Sequence, residues 1–205
     1  MLDRYLDSVL PASNAVLVRL EQQAYAEGIP IVGRRAAALI QLLVRITEPD
    51  LIVELGTATG YSGIWLLRGS VTARLITFEV DETRAAQARD NFAEAGLTGR
   101  ADVRVGNAVE GLEELPASAG VVFNDVLNGL RDPERVEQCF RAAVNALRPG
   151  GLLLADNALA GGDVLAQETR EGRSAHRWNA LVLEDPSLAG LIVPTEDGLS
   201  VAVRI

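Results

Sequence analysis

The chain has 205 residues, 48% hydrophobic and 23% charged, a globular composition at single-domain length that excludes a disordered or collagen-like chain. Its one cysteine excludes an intrachain disulfide and a zinc ribbon, and all 19 basic residues are arginine, which excludes a lysine base, a Schiff base and a P-loop lysine together. The net charge of −9 opposes a phosphate backbone, so nucleic acid is not an expected partner.

The first segment, Met1–Ser13, carries Asp3 and Asp7 without a long apolar run, which argues against a signal peptide. Two helices are predicted ahead of any strand, about Pro11–Glu27 and Gly33–Ile46. Their apolar positions (Val16, Leu20 and Tyr25; Ala36, Leu39, Ile40 and Leu43) suit packing on a sheet or against a partner chain, and Arg34-Arg35 reads as a solvated pair. Leu51–Leu55 reads as a buried strand running into a glycine loop, followed by a helix over Gly60–Arg68. Strand Arg74–Glu79 and helix Asp81–Ala95 come next, then strand Asp102–Gly106 and a short turn near Ala108–Leu115. A fourth strand, Gly120–Asp125, precedes helix Pro133–Leu147, with Asp132 as N-cap and Pro133 at the first helical position. Pro149-Gly150-Gly151 is expected to stop that helix before a fifth strand, Gly151–Asp156.

The tail differs. Leu188–Val193 and Leu199–Ile205 are joined by Pro194–Gly198, which is hairpin chemistry. Leu199, Val201, Val203 and Ile205 predict one apolar face on the last strand. The alternation of strands and helices predicts an α/β fold, a mostly parallel sheet with an antiparallel C-terminal hairpin and helices on both faces. Residues 1–205 read as one domain. Trp65, Trp178 and Cys139 read as core, and His176 as exposed on the helix before Asp185. The longest apolar stretch, Gly150–Gly162, is short and broken by Asp156 and Asn157, so no membrane span is expected and a cytoplasmic protein is the expectation.

The residues that carry chemistry lie at the carboxyl ends of the predicted strands, where ligands of open α/β sheets bind. Glu54-Leu-Gly56-Thr57-Ala-Thr-Gly60-Tyr-Ser62 leaves a buried strand and opens a helix. Its spacing is E-x-G-x-x-x-G, not the G-x-G-x-x-G that delivers a pyrophosphate to a helix N-terminus, which disfavours a nicotinamide dehydrogenase. An acidic residue inside the loop suits a ligand with an ammonium group, such as the methionine part of S-adenosylmethionine (SAM), and Ser62 can bond its carboxylate. Glu79 ends the second strand, 25 residues after Glu54, where a ribose diol is gripped. Asn107 and Ala108 follow the third strand, where an amide or backbone N–H could read an adenine edge. Asp125 closes the fourth strand, and Asp156 with Asn157 closes the fifth. Three hard oxygen donors suit Mg²⁺. An Asx-type turn at Asp156-Asn157 is the plainer alternative.

These segments (ELGTATGYS at Glu54–Ser62, Phe78–Asp81, Phe123–Asp125, LRPGGLLLADN at Leu147–Asn157 and Asp185–Gly198) resemble the class I SAM-dependent O-methyltransferases of the catechol and caffeoyl-CoA type. The resemblance runs from about Val32 to the C-terminus. It implies a Rossmann-like seven-stranded sheet, SAM and a divalent metal as cofactors, a catechol-like small-molecule acceptor and a homodimer. It also implies SAM contacts at Val32, Glu54, Gly56, Thr57, Gly60, Ser62, Glu79, Asn107, Ala108 and Asp125, and a metal held by Asp125, Asp156 and Asn157. The chain departs from the family after the fourth strand. Asn128 stands at the position of the family's general-base lysine, Arg131 near a tyrosine position, and Asn124 at an apolar position. Asparagine takes no proton at neutral pH, and general-base catalysis is typically worth about 10²–10⁴-fold. Three outcomes follow: the metal suffices alone, another group (Asp125, His176 or a metal-bound water) acts as base, or the chain binds SAM without catechol methylation.

Overall fold

The structure, a computed structural model, describes residues 2–205; Met1, at the head of the segment argued not to be a signal peptide, lies outside the described residues. Strands β1 (Leu51–Leu55), β2 (Arg74–Glu79), β3 (Ala101–Val105), β4 (Ala119–Asn124), β5 (Leu147–Ala155), β6 (Leu188–Val193) and β7 (Leu199–Arg204) form one sheet in the order β3-β2-β1-β4-β5-β7-β6. The pairs from β3 to β5 are parallel, and β7 is antiparallel to both β5 and β6. The helices are α1 (Leu2–Ser8), α2 (Ala15–Glu27), α3 (Arg34–Thr47), α4 (Tyr61–Arg68), α5 (Glu82–Glu94), α6 (Ala108–Glu113), α7 (Pro133–Ala146) and α8 (Arg170–Glu184).

Strand alternation decides which face each side chain serves. On β1, Ile52 joins the core beneath α2–α5, where Leu17, Leu20, Ile40, Val44, Trp65 and Phe92 pack. Val53 and Leu55 join the opposite core beneath α6–α8, with Val136, Phe140, Trp178 and Val182. The chain moves outward from β1 to β3 on one side and from β4 to β6 on the other, with β7 returning between β5 and β6. A crevice must therefore open between β1 and β4 at their carboxyl ends. Helix caps fix how the chain leaves that rim. Asp81 accepts from the Thr83 and Arg84 N–H groups after β2, Asn107 from Val109 after β3, and Asp132 from Arg135 ahead of Pro133.

The structure corrects several expectations. The helix predicted from Pro11 starts only at Ala15, because Asn14 takes the N-cap and its Oδ1 accepts from the Leu17 N–H at 2.9 Å; a separate α1 precedes it. Tyr25 is 93% exposed, and Leu17 and Ala24 supply the packed face instead. Strand β5 begins at Leu147 rather than Gly151, since Pro149-Gly150 is absorbed at a register shift between the Ala119 and Val121 pairings. Strand β7 does not bury one face alone: Leu199 packs in the first core and Ala202 in the second, so Ser200 and Ala202 are buried with Leu199. Arg34-Arg35 is not a solvated pair, for Arg35 bonds Asp7 at 2.9 Å and Arg34 Nε lies 3.7 Å from Glu21. No helix of the described residues is long and apolar enough to cross a membrane.

Trp178 has no solvent exposure and meets Phe140 edge-on at 5.7 Å. Trp178→Ala is expected to destabilise the fold by about 3–5 kcal/mol, read from urea unfolding at constant slope.

Candidate active site

The glycine loop between β1 and α4 is held by backbone geometry that few residues tolerate. Gly56 and Gly60 adopt φ of 95° and 84°. A Cβ on Gly56 would fall 2.8 Å from Val126 Cγ1 and 3.2 Å from the Asp125 carbonyl oxygen, so only glycine lets the loop pass the end of β4. The Gly56 and Thr57 N–H groups both donate to the Phe78 carbonyl, at 3.1 and 3.0 Å. Glu79 accepts from the Ala58 N–H at 2.9 Å and the Asp81 N–H at 3.0 Å, which locks its carboxylate against the loop.

Beneath the loop runs a chain of buried hydroxyls. Thr77 donates to Glu54 Oε2 at 2.6 Å, and its hydroxyl lies 2.6 Å from that of Thr57. With the Thr77 proton committed to the carboxyl, Thr57 is the donor to Thr77. Glu54 has no solvent exposure, and its Oε1 has no hydrogen-bond partner. Burial pushes its carboxyl up to about 7, against the opposing pull of the Ser62 and Thr77 hydroxyls.

The neighbouring strands add two more carboxyls. Asn124 and Ala155 are paired across β4 and β5, so Asp125 and Asp156 leave the sheet side by side. Burial holds Asp125 well above its ordinary range, and the charges of Asp156 and Glu54 add to the shift. Burial pushes Asp156 up to about 6, with Asp197 and Glu196 contributing and the Asn157 N–H opposing. Asn157 sits at φ 60°, a conformation asparagine tolerates. Its Nδ2 donates to Asp197 Oδ2 at 3.0 Å, and Asp197 Oδ1 accepts from the Gly161 N–H at 2.6 Å. Among the described residues no three His, Cys, Asp or Glu side chains form a metal-holding cluster; Asp125, Asp156 and Asn157 are two carboxyls and an amide.

A cleft of about 390 Å³ opens beside the loop, lined by Gly56, Phe78, Glu79, Asn107, Ala108 and Val126 and by Arg131, Asp132 and Arg135. Of the residues expected to contact a cofactor, Gly56, Glu79, Asn107 and Ala108 line this cleft. Val32, Glu54, Thr57, Gly60 and Ser62 are buried, and Asp125 is half-buried. Asn107 uses its Oδ1 as the α6 cap, which leaves its amide nitrogen for a ligand. Asn128 is exposed on the turn Leu127–Gly129, and His176 is exposed on α8. Asn124 is fully buried; its Oδ1 accepts from the Val126 N–H at 3.0 Å, while its Nδ2 has no partner.

Several contributors escaped the sequence reading. Thr77 looked like an ordinary strand residue. Tyr61 donates to Glu21 at 2.8 Å, a contact between α4 and α2 that spacing does not reveal. Glu196 and Asp197 read only as turn chemistry, although two adjacent acids exceed what a turn requires.

A glycine loop on one strand, an acidic residue ending the next and a crevice where strand order reverses define a Rossmann-like protein with a nucleoside-sized site. The sequence profile of a family described as O-methyltransferase matches residues 11–205. A catechol O-methyltransferase of Niastella koreensis is 31% identical over 211 residues, covering 98% of this chain and 95% of the relative. Among solved structures, the Bacillus cereus O-methyltransferase in complex with SAH superposes with a TM-score of 0.84 at 29% identity, covering 100% of this chain and 97% of that one. A Streptomyces achromogenes O-methyltransferase involved in tomaymycin synthesis, in complex with SAM, gives 0.85 at 26% identity, covering 99% and 95%. The chain belongs to the O-methyltransferase family.

The raised Glu54 carboxyl fixes the sign of one pH effect. The folded chain holds this proton up to about pH 7 against an ordinary value of 4.5, so the associated stability is full below 4.5 and is lost as pH rises through 7. Ligand-free Glu54→Gln is expected to gain stability over the parent on going from pH 4.5 to pH 8, by up to about 3 kcal/mol in urea titrations.

Proposed function

We propose that this chain is a SAM-dependent O-methyltransferase for a small molecule with catechol-like hydroxyls, assisted by a divalent cation such as Mg²⁺. The observation that carries the reading is a nucleoside-sized cleft and the Asp125–Asp156 carboxyl pair at adjacent strand ends, on two sides of one glycine loop, in a chain of this family.

The residues fit the cofactor. Glu54 Oε1 is a buried oxygen without a partner, suited to the ammonium end of SAM. Glu79 lines the cleft at the end of β2, where a ribose diol would lie. The residues also fit a hard cation. The charge of Asp156 raises the proton affinity of Asp125, and a positive charge beside the two would remove that repulsion. With its Nδ2 held by Asp197, Asn157 keeps its carbonyl oxygen free as a third donor.

When bound, the sulfonium supplies an activated methyl and the cation lowers the pKa of a hydroxyl it touches. The chain's own work is alignment. Gly56–Ser62 and Glu79 orient the donor, Asp125, Asp156 and Asn157 orient the acceptor, and the shared loop sets the distance between them. Asn128 offers no base, which favours acceptors whose hydroxyl is already acidic. The same observation favours a second reading, a SAM-binding protein without catechol methylation. The first reading includes a homodimer, supported by exposed Val18, Tyr25, Leu42 and Ile46 on α2 and α3.

Calorimetric titration is expected to give SAM binding and none with NAD; the reverse pattern would sink both readings. Labelled methyl is expected to reach catechols with Mg²⁺ and to fall by about 100-fold or more with EDTA or in Asp156→Ala. SAM binding with no transfer to any catechol would select the second reading. Asn128→Lys is expected to raise catechol methylation by about tenfold or more. No gain, with SAM and cation still bound, would dismiss the lost-base account.

A further inference from the structure

Helix α3 begins without a cap of its own. Gly33 occupies the N-cap position and has no side chain to accept from the first turn. The two N–H groups that a capping side chain would satisfy are those of Arg35 and Ala36. Both are taken by one residue from the opposite end of the chain. Glu196, at the tip of the β6–β7 hairpin, accepts from the Arg35 N–H through Oε1 at 2.8 Å and from the Ala36 N–H through Oε2 at 3.2 Å. Gly33 leaves room for this reach: a Cβ there would fall 2.7 Å from Glu196 Cγ.

The hairpin tip makes two sets of contacts. Glu196 grips the start of α3, directly after buried Val32, while Asp197 holds Asn157 and the Gly161 N–H. On the far side, Glu21 receives the Tyr61 hydroxyl from the glycine-loop helix and lies 3.7 Å from Arg34 Nε. The segment Val32–Arg34 is thus fixed from one side by the hairpin and approached from the other by the residue that anchors the glycine loop.

We propose that Glu196 is a positioning residue for methyl-donor binding: by capping α3 from the hairpin it fixes Val32–Gly33 against the methionine end of the cofactor site. The inference rests on the reading of the site as one for SAM. It assigns no contact between Glu196 and the ligand. The hairpin contributes binding energy through backbone order at Val32–Ala36, and it ties that order to the loop carrying Asn157.

The test uses the full chain and three variants: Glu196→Ala, Glu196→Gln and Gly33→Ala. The last displaces the flexible end of Glu196 without altering its charge. Glu196→Ala and Gly33→Ala are expected to raise the calorimetric Kd for SAM and for SAH by about fivefold or more, the scale of one lost charge-assisted cap. Glu196→Gln, which keeps one acceptor oxygen for the two N–H groups, is expected to recover part of that loss. In hydrogen exchange, the Arg35 and Ala36 amides are expected to exchange faster in Glu196→Ala and, in the parent, to slow on saturation with SAH. A role in stability alone would lower the melting temperature while folded variants kept the parent Kd, and that result overturns the proposal. Exchange at Arg35 and Ala36 indifferent to SAH overturns it as well, even if Glu196→Ala does not fold. A parent chain that binds neither SAM nor SAH removes the cofactor assignment itself, an outcome distinct from parent binding that the variants leave unchanged.

Discussion

Three carboxyl groups are gathered at the one place where the sheet reverses its strand order, and much of the surrounding architecture answers to that constraint. Glu54, Asp125 and Asp156 come from β1 and the ends of β4 and β5, and burial with mutual repulsion lifts the proton affinity of Asp125 above the ordinary carboxyl range. A hydrophobic surface of the same shape would be more stable in isolation. Opposing helices supply the compensating burial: Leu17, Leu20, Ile40, Val44 and Trp65 on one face, Phe140, Trp178 and Val182 on the other. Such an acidic rim is suited to cationic partners, and the sulfonium of SAM is one.

The polar network around the rim is largely non-local. Thr77 on β2 serves Glu54 on β1, Glu79 on β2 serves the loop after β1, and the hairpin tip serves both α3 and the loop after β5. Each of these bonds links segments distant in sequence, so the site exists only in the assembled fold. In each of them a side chain reaches from one element to another and ties the ends of neighbouring segments together.

The turn after β4 sets this chain apart from the family pattern. Asn124 turns inward and closes the loop through the Val126 N–H, whereas Asn128 faces solvent with no acid-base capacity. With no lysine anywhere in the chain, no lysine can serve as a base at this site. Arg131 and Arg135 line the nucleoside-sized cleft together with the acids Glu79 and Asp132.

By itself the sequence determined the element types, the parallel sheet with its antiparallel tail, the glycine loop and the acids at the strand ends. Those features are local: an apolar run, a Gly at positive φ and a cap each depend on a handful of neighbouring residues. The tertiary structure alone decided that β7 is an interior strand, that Glu54 is enclosed with one oxygen unpaired, and that Glu196 caps a helix 160 residues upstream of it. The physical reason is that pairing order, burial and reach-across hydrogen bonds are properties of distances between segments. Residue types and spacings constrain those distances only after the sheet has closed.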